Sequence, residues 1–466
     1  MGIGEAPRHP PTTHHPPAMP DPLSTRDRLE RLRHLGVKRA VDIPAPSPQP
    51  SALSPQHPLP TTHRTGRRDI RDVVDGFDLD TPHGRVFVAD TLYAEHAGRP
   101  VHQPPSTTHH LPRLARDDAL TDLDLGHAAF LDTETTGLSG GTGTLCFLVG
   151  VGAFEGHAFR VRQFFLRDPG DEPALLHALA DWLAPFTSVV SFNGKAFDMP
   201  LLTTRFRLQR RRPPLAQAPH LDLLFTARRL WRARLGSCAL SSLERHILGV
   251  ERTDDVPGMM IPYLYFDYVR SGQVDRLARV FYHNALDIVS MAALLDQMCA
   301  VFDNPEGCGV CHGADWLSLG TVYEAAGAAD LALDAYQRAM TCQLPPTLHD
   351  QAKERHGQLL KRQGDWDQAV AAWAHAVAHG TAHRLYPYLE LAKYYEHRAR
   401  DYDAAIATVR QAISHVEAQR LRLDSLNQAA TLTDLRHRLA RLERKAATAG
   451  PTIHHPPGVG EAPCAS

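Results

Sequence analysis

Phe130-Leu131-Asp132-Thr133-Glu134-Thr135-Thr136-Gly137 is the stretch on which the fold turns. It follows Ala128 and Ala129, so a short continuous apolar run leads into it, as expected of a central strand buried on both faces. Side chains alternate along a strand, which puts Asp132 and Glu134 on the same face. Two carboxylates held side by side repel one another unless a proton or a cation lies between them. Hard oxygen ligands of this kind suit Mg²⁺ or Mn²⁺. Alone, the pair is equally consistent with two acids at a strand end that have separate partners.

Outward from this strand, the pattern alternates strand and helix. Strands are expected over 128–131, 145–154, 158–166, 188–192 and 220–224. Helices are expected over 172–183, 197–209 and 275–300. Three strands joined by turns and then strand-helix alternation imply an α/β domain over 118–302, a mixed five-stranded sheet with helices on its faces.

Two further acidic motifs fall within that domain. Ser191-Phe192-Asn193-Gly194-Lys195-Ala196-Phe197-Asp198 sets a third carboxylate just after a core strand, at a helix start. The helix dipole alone also favours an acid there. Tyr282-His283-Asn284-Ala285-Leu286-Asp287 supplies the fourth. Residues four apart share a helical face, so His283 and Asp287 project together. The apolar series Leu277, Phe281, Ile288, Ala292 and Leu295 takes another face and packs on the sheet.

In this order, the three motifs resemble those of the DEDD superfamily (DnaQ-like) of 3′→5′ exonucleases, which has the ribonuclease H-like fold. The resemblance is to its bacterial YprB-type branch, in which such a domain precedes tetratricopeptide-like repeats. Further likeness lies in His220-Leu221-Asp222-Leu223-Leu224, in residues 235–243 and in Asp255-Val256-Pro257-Gly258. The resemblance implies that Asp132, Glu134, Asp198 and Asp287 bind two Mg²⁺ or Mn²⁺ ions. It implies a water activated for in-line attack on a phosphodiester, with His283 as the general base. One departure stands out. Members with a catalytic His usually place it five residues before the last Asp, and members with Tyr place it four before. Here His283 is four before and Tyr282 five before. The shared face of positions four apart favours His283.

Nine arginines and a single acid, Asp222, lie between Arg205 and Arg234, with Phe206 and Trp231 interleaved. Such a stripe suits phosphate contact and base stacking on a single strand, and it equally suits a solvated basic helix face. Asn193, Lys195, Arg205, Arg207, Arg228 and Arg229 are the nucleic-acid-binding candidates. Asp222 could assist a metal or hold the sheet edge. The Gly-rich loop 139–143 lacks the Gly-Lys-Ser/Thr ending of a phosphate-binding loop and precedes a strand, so it reads as a turn.

Beyond the domain, residues 1–66 are rich in Pro, His, Ser and Thr and are expected to be disordered, with one short helix over 25–35. Paired histidines such as His14 and His15 fit a solvated tail. Residues 67–117 read as a partly ordered extension. Residues 303–314 form a linker containing Cys308-Gly309-Val310-Cys311-His312, which matches a c-type haem site by letter but lacks an export signal ahead of it. Over 315–447 the sequence repeats. Gly327, Gly364 and Arg400 align at spacings of 37 and 36, as do Tyr336, Trp373 and Val409, and Ala339, Ala376 and Ala412. This interval resembles tetratricopeptide repeats and implies a concave face for a protein partner. The tail, 448–466, reads as disordered.

The formal net charge of −2 places any nucleic-acid affinity in a local patch, not in bulk charge. No run of eighteen apolar residues is present, so no membrane span is expected, and the location expected is cytoplasmic. Single-stranded nucleic acid is the expected substrate, with the choice of DNA or RNA open. Two other readings stand beside the exonuclease. One is a nucleic-acid-binding or protein-interaction scaffold with a weak or inactive nuclease site. The other is a structure-specific endonuclease on the same fold.

Overall fold

A computed structural model describes residues 68–449, apart from 97, 102, 106–107, 138–142, 254, 379–383 and 419–424. The N-terminal tail with its expected helix, most of the Gly-rich loop and the last residues of the tail lie outside the described residues.

Seven strands form one sheet: β1 Phe77–Thr81, β2 Gly84–Tyr93, β3 Ala128–Thr135, β4 Cys146–Glu155, β5 Ala158–Phe165, β6 Ser188–Ser191 and β7 His220–Asp222. Their order is β1-β2-β5-β4-β3-β6-β7. Strand β3 pairs antiparallel with β4 and parallel with β6, which pairs parallel with β7, so the sheet is mixed. The five expected strands are all present. The additional two come from the segment read as a partly ordered extension, and this corrects the strand count. Gly84, at φ 117°, turns the chain between β1 and β2, and Phe87 and Val88 then pair with Phe165 and Phe164 of β5. Phe87 and Val88 are fully buried, so the hairpin covers what is otherwise an open apolar edge.

Five helices matter for the site: α1 Glu172–Leu183, α2 Asp198–Leu208, α3 Leu223–Leu235, α4 Ile261–Ser271 and α5 Leu277–Asp303. Alternation along β3 divides them. Ala129 and Leu131 face a core built with Leu175 of α1, Phe206 of α2 and Tyr265 of α4. Phe130 faces a second core with Trp231 of α3 and Ile288 of α5. Each large apolar side chain buried this completely contributes about 1.5–3 kcal/mol.

Helix α5 is seated unusually close to β4. A Cβ on Gly150 would collide with Asn284 and Ile288, and one on Gly152 would meet Ile288 Cγ2 at 2.5 Å. Two glycines at i and i+2 therefore clear one face of β4 for the helix that carries His283 and Asp287. By length and composition α5 could cross a membrane, but its apolar side chains, among them Ile288, Leu294, Leu295 and Met298, are packed inside this fold.

The C-terminal region is all-helical: α6 Gly313–Ala325, α7 Ala329–Thr341, α8 Pro346–Gln363, α9 Trp366–Ala378, α10 Tyr386–Tyr394, α11 Tyr402–Ala418 and α12 Ser425–Ala449. Gly327, Gly364 and Arg400 all adopt positive φ, at 77°, 84° and 56°, each in the turn between two helices. Tyr336, Trp373 and Val409 are buried at equivalent places, as are Ala339, Ala376 and Ala412. The sequence periodicity is thus a periodicity of helix pairs. Trp316 and Leu319 of α6 belong to the same apolar cluster as Phe130, and Arg234 Nε donates to Asp315 Oδ2 over 2.7 Å. Cys308 and Cys311 are free thiols in the turn before α6.

Candidate active site

The acids meet where β3, α2 and α5 converge. Asp132 and Glu134 leave the apolar part of β3, where burial gives way to partial exposure. Asn193, at φ 68°, and Gly194 turn the chain after β6. A Cβ on Gly194 would press on Ser191 Oγ at 2.5 Å and lie 3.2 Å from Asp198 Oδ2, so glycine lets the turn close on the start of α2. Asp198 Oδ1 accepts from Thr133 N at 3.1 Å and from Thr133 Oγ1 at 2.5 Å, tying α2 to β3 between the first two acids. Asp132 Oδ2 accepts from Asn284 Nδ2 at 2.7 Å, which ties α5 to the same strand. On α5, His283 Nε2 lies 3.7 Å from Asp287 Oδ2, the contact expected of positions four apart.

Burial and mutual repulsion govern the charge of this cluster. Asp132 is pushed well above the carboxylate range by desolvation, then by Asp287 and Asp198. Glu134 is raised by desolvation, then by Asp132, Asp287 and Asp198. Desolvation raises Asp198 to about 6, against the lowering effect of its Thr133 hydrogen bonds. Desolvation also raises Asp287, with Arg252 and His283 pulling the other way. Four carboxylates that resist ionisation together form a donor set that a hard divalent cation would stabilise. The donors suit Mg²⁺ or Mn²⁺ by chemistry. Among the described residues, however, no three such side chains close around a single point as a finished cage. The Arg252 guanidinium donates to Asp287 Oδ1.

Arg252, Asp255, Glu244 and Asn284 were not among the residues expected from the motifs. His283 Nδ1 is 2.8 Å from Asp255 Oδ1 and 3.0 Å from Oδ2. A carboxylate only accepts, so Nδ1 carries the proton and Nε2 is left as the basic nitrogen, facing Asp287. Glu244 opens a π turn, Glu244–Leu248, of the kind that often marks functional sites. Asp255 and Asn284 had a sequence signal, the one in the motif ending at Gly258 and the other in the motif from Tyr282 to Asp287, whereas Arg252 and Glu244 had none. Tyr282, the alternative base, points outward and is 42% exposed.

The expected nucleic-acid contacts have different fates. Arg205 is the clearest correction: it is buried, with Nε and Nη2 donating to Glu172 Oε1 and Oε2 at 2.5 and 2.6 Å. The basic stripe there is interrupted because α2 turns that side toward α1. Arg229 donates to the Leu114 carbonyl at 2.9 Å. Lys195 Nζ bonds Asp117 Oδ2 at 2.9 Å. Arg207 is exposed at the end of α2. Asp222 caps α3 and accepts the backbone amides of Asn193 and Lys195 at 2.8 and 3.1 Å, holding the turn before α2 in place. Asn193 and Arg228, with Arg232, line an open cleft of about 670 Å³ that reaches Asp132 and Asp287.

This sheet, with acids on its central strand and on a helix lying across it, is that of a ribonuclease H-like domain, and the ribonuclease H superfamily profile matches residues 129–299. The protein YprB of Bacillus subtilis (strain 168) is 32% identical over 323 residues, covering 68% of this chain and 74% of the relative. The chain belongs to the YprB family. A family B DNA polymerase from the hyperthermophilic archaeon Pyrobaculum calidifontis aligns over 46% of this chain and 29% of its own length. That alignment has 14% identity and a TM-score of 0.31, too low to equate the two folds.

Proposed function

We propose that this protein is a 3′→5′ exonuclease that hydrolyses single-stranded DNA or RNA with two Mg²⁺ or Mn²⁺ ions. The observation that carries this reading is the meeting of Asp132, Glu134, Asp198 and Asp287 beside a histidine whose Nδ1 is held by Asp255. Asp132, Glu134, Asp198 and Asp287 would hold the ions. Bound there, divalent ions would activate water and stabilise the leaving oxygen. His283 takes the water's proton at Nε2, because Asp255 fixes the opposite nitrogen as the donor and stabilises the imidazolium that forms. Arg228, Arg232 and Asn193 bind the phosphates of a single strand along the cleft. The helix pairs serve as tetratricopeptide-like repeats that recruit a protein partner, and the protein acts in the cytoplasm.

The test uses 5′-labelled single-stranded DNA and RNA with Mn²⁺ or Mg²⁺, comparing wild type with Asp132→Ala and His283→Ala. A ladder shortening from the 3′ end and lost in Asp132→Ala supports the reading. Cleavage of circular single strands would point instead to an endonuclease. Binding without cleavage under either metal would favour a scaffold, the reading to which the guanidinium seated on Asp287 lends most weight.

A further inference from the structure

Arg252 stands in the loop between the π turn and α4, and its side chain is only 10% exposed. Three carboxylates share it. Nε donates to Glu244 Oε2 at 2.8 Å and Nη2 to Glu244 Oε1 at 2.5 Å, a bidentate fork. Nη1 reaches Asp255 Oδ2 at 3.1 Å, and Nη2 also donates to Asp287 Oδ1. His283 Nδ1 is 3.5 Å from Nη1. Behind the fork, Ser290 Oγ donates to Glu244 Oε1, and His96 Nε2 lies 3.0 Å from Ser290 Oγ. Glu244, Ser290 and His96 are all buried.

A guanidinium buried this far needs carboxylate partners, and removing the cation from such a set leaves buried charge uncompensated. The division of labour within the set matters. Glu244, backed by Ser290 and His96, holds two points of the fork by itself. Asp287 contributes one shared hydrogen bond and can let go without releasing the arginine. Asp255 uses both oxygens on His283 and one of them on Arg252, so the guanidinium also fixes the orientation of the imidazole.

We propose that Arg252 is a positioning residue of this site and its resident counter-cation. It holds Asp287 and the Asp255–His283 pair in register, and it gives up Asp287, while staying on Glu244, when a divalent cation enters. This inference rests on the metal-dependent reading above. It carries an asymmetric consequence. The guanidinium opposes cation binding, by competing for Asp287 and by like charge at short range, yet it supports turnover by orienting His283.

Mn²⁺ binding to the full chain, measured by calorimetry, tests it on wild type, Arg252→Met and Arg252→Lys, with melting temperature and turnover measured alongside. Arg252→Met should bind Mn²⁺ about tenfold more tightly, melt lower without metal, gain more stability on adding Mn²⁺, and turn over more slowly. Arg252→Lys keeps the charge and loses the fork. It should bind Mn²⁺ within a few-fold of wild type while kcat falls and KM holds, and it serves if the Met variant does not fold. Unchanged or weaker Mn²⁺ binding in Arg252→Met overturns the inference, as does a parallel loss of affinity and turnover in Arg252→Lys. If Mn²⁺ binding is lost in Asp132→Ala but unaltered in Arg252→Met, only this inference falls. If wild type binds no Mn²⁺, the metal-dependent reading falls and takes the inference with it.

Discussion

Asn284 donates Nδ2 to Asp132 Oδ2 over 2.7 Å while its Oδ1 accepts from Gln163 Nε2 over 2.8 Å. Because Gln163 Nε2 also donates to the Phe281 carbonyl at 2.8 Å, the amide of Asn284 has one satisfied orientation, with its donor toward the acid. Replacing Asn284 with Leu removes the hydrogen bond that lowers the pKa of Asp132. The expected result is a loss of about 1–3 kcal/mol of stability in chemical denaturation. An acid limb of the pH–rate profile moved to higher pH should accompany it.

The cluster makes metal-free stability depend on pH. A carboxyl whose folded pKa lies above its unfolded value stabilises the fold while protonated, and that contribution is lost as pH rises through the folded value. For Asp198 the window runs from the ordinary carboxylate value of 3.8 to about 6. Asp198→Asn should therefore gain on wild type as pH rises through this window and then level off. The difference should be roughly 3 kcal/mol at most. Melting curves of both proteins from pH 4 to 8 in chelator will show it, and parallel curves would refute it.

Asp255 sets the histidine's tautomer. Asp255→Asn can present its amide to Nδ1 and so invert the imidazole's polarity. Activity should fall at least 10²-fold, by analogy with other carboxylate-oriented histidines. Mn²⁺ affinity should change far less than in Asp132→Ala. Steady-state rates beside calorimetric Mn²⁺ titrations measure both.

The Arg205–Glu172 pair, with side chains 9% and 6% exposed, supports structure rather than substrate. Arg205→Ala should cost about 3–5 kcal/mol, since it strands a buried carboxylate. The double variant Arg205→Met with Glu172→Leu should recover most of that. Nucleic-acid affinity of the double variant, measured well below its melting temperature, should match wild type, whereas Arg228→Ala or Arg232→Ala should weaken binding and flatten its salt dependence.

Gly152→Val tests the seat of α5. Overpacking there should cost about 1–3 kcal/mol. The helix would lift away from β4 and carry His283, Asn284 and Asp287 with it. Turnover should fall well beyond what the stability loss accounts for, with Gly156→Ala, which strains a turn at φ 60° but touches no neighbour of α5, as the comparison for stability loss alone.

The sequence made some of these features legible and hid others, for physical reasons. Asp132 with Glu134 and His283 with Asp287 could be paired because strand and helix periods are local, two and about four residues. Asn284 bonds an acid 152 positions away, and Arg252 bonds Asp287 across 35, and no local period reports such contacts. The β1–β2 hairpin was obscured because β1 has no fully buried residue and draws its place from β2. The arginine stripe looked uniform in sequence, yet Arg205 and Arg229 turn inward to Glu172 and the Leu114 carbonyl while Arg228 and Arg232 line the cleft. Only the packing of α1 and of residues 111–115 separates them.

The apolar cluster around Phe130 runs without a break through α3 and α5 into Trp316 and Leu319. A chain cut in the turn before α6 would not yield two independent pieces. It would bare one side of the ribonuclease H-like core and orphan Arg234, and the first helix pair would lose its floor. The first helix pair should thus melt with the ribonuclease H-like domain in one calorimetric transition, and a fragment cut before α6 should aggregate rather than fold alone.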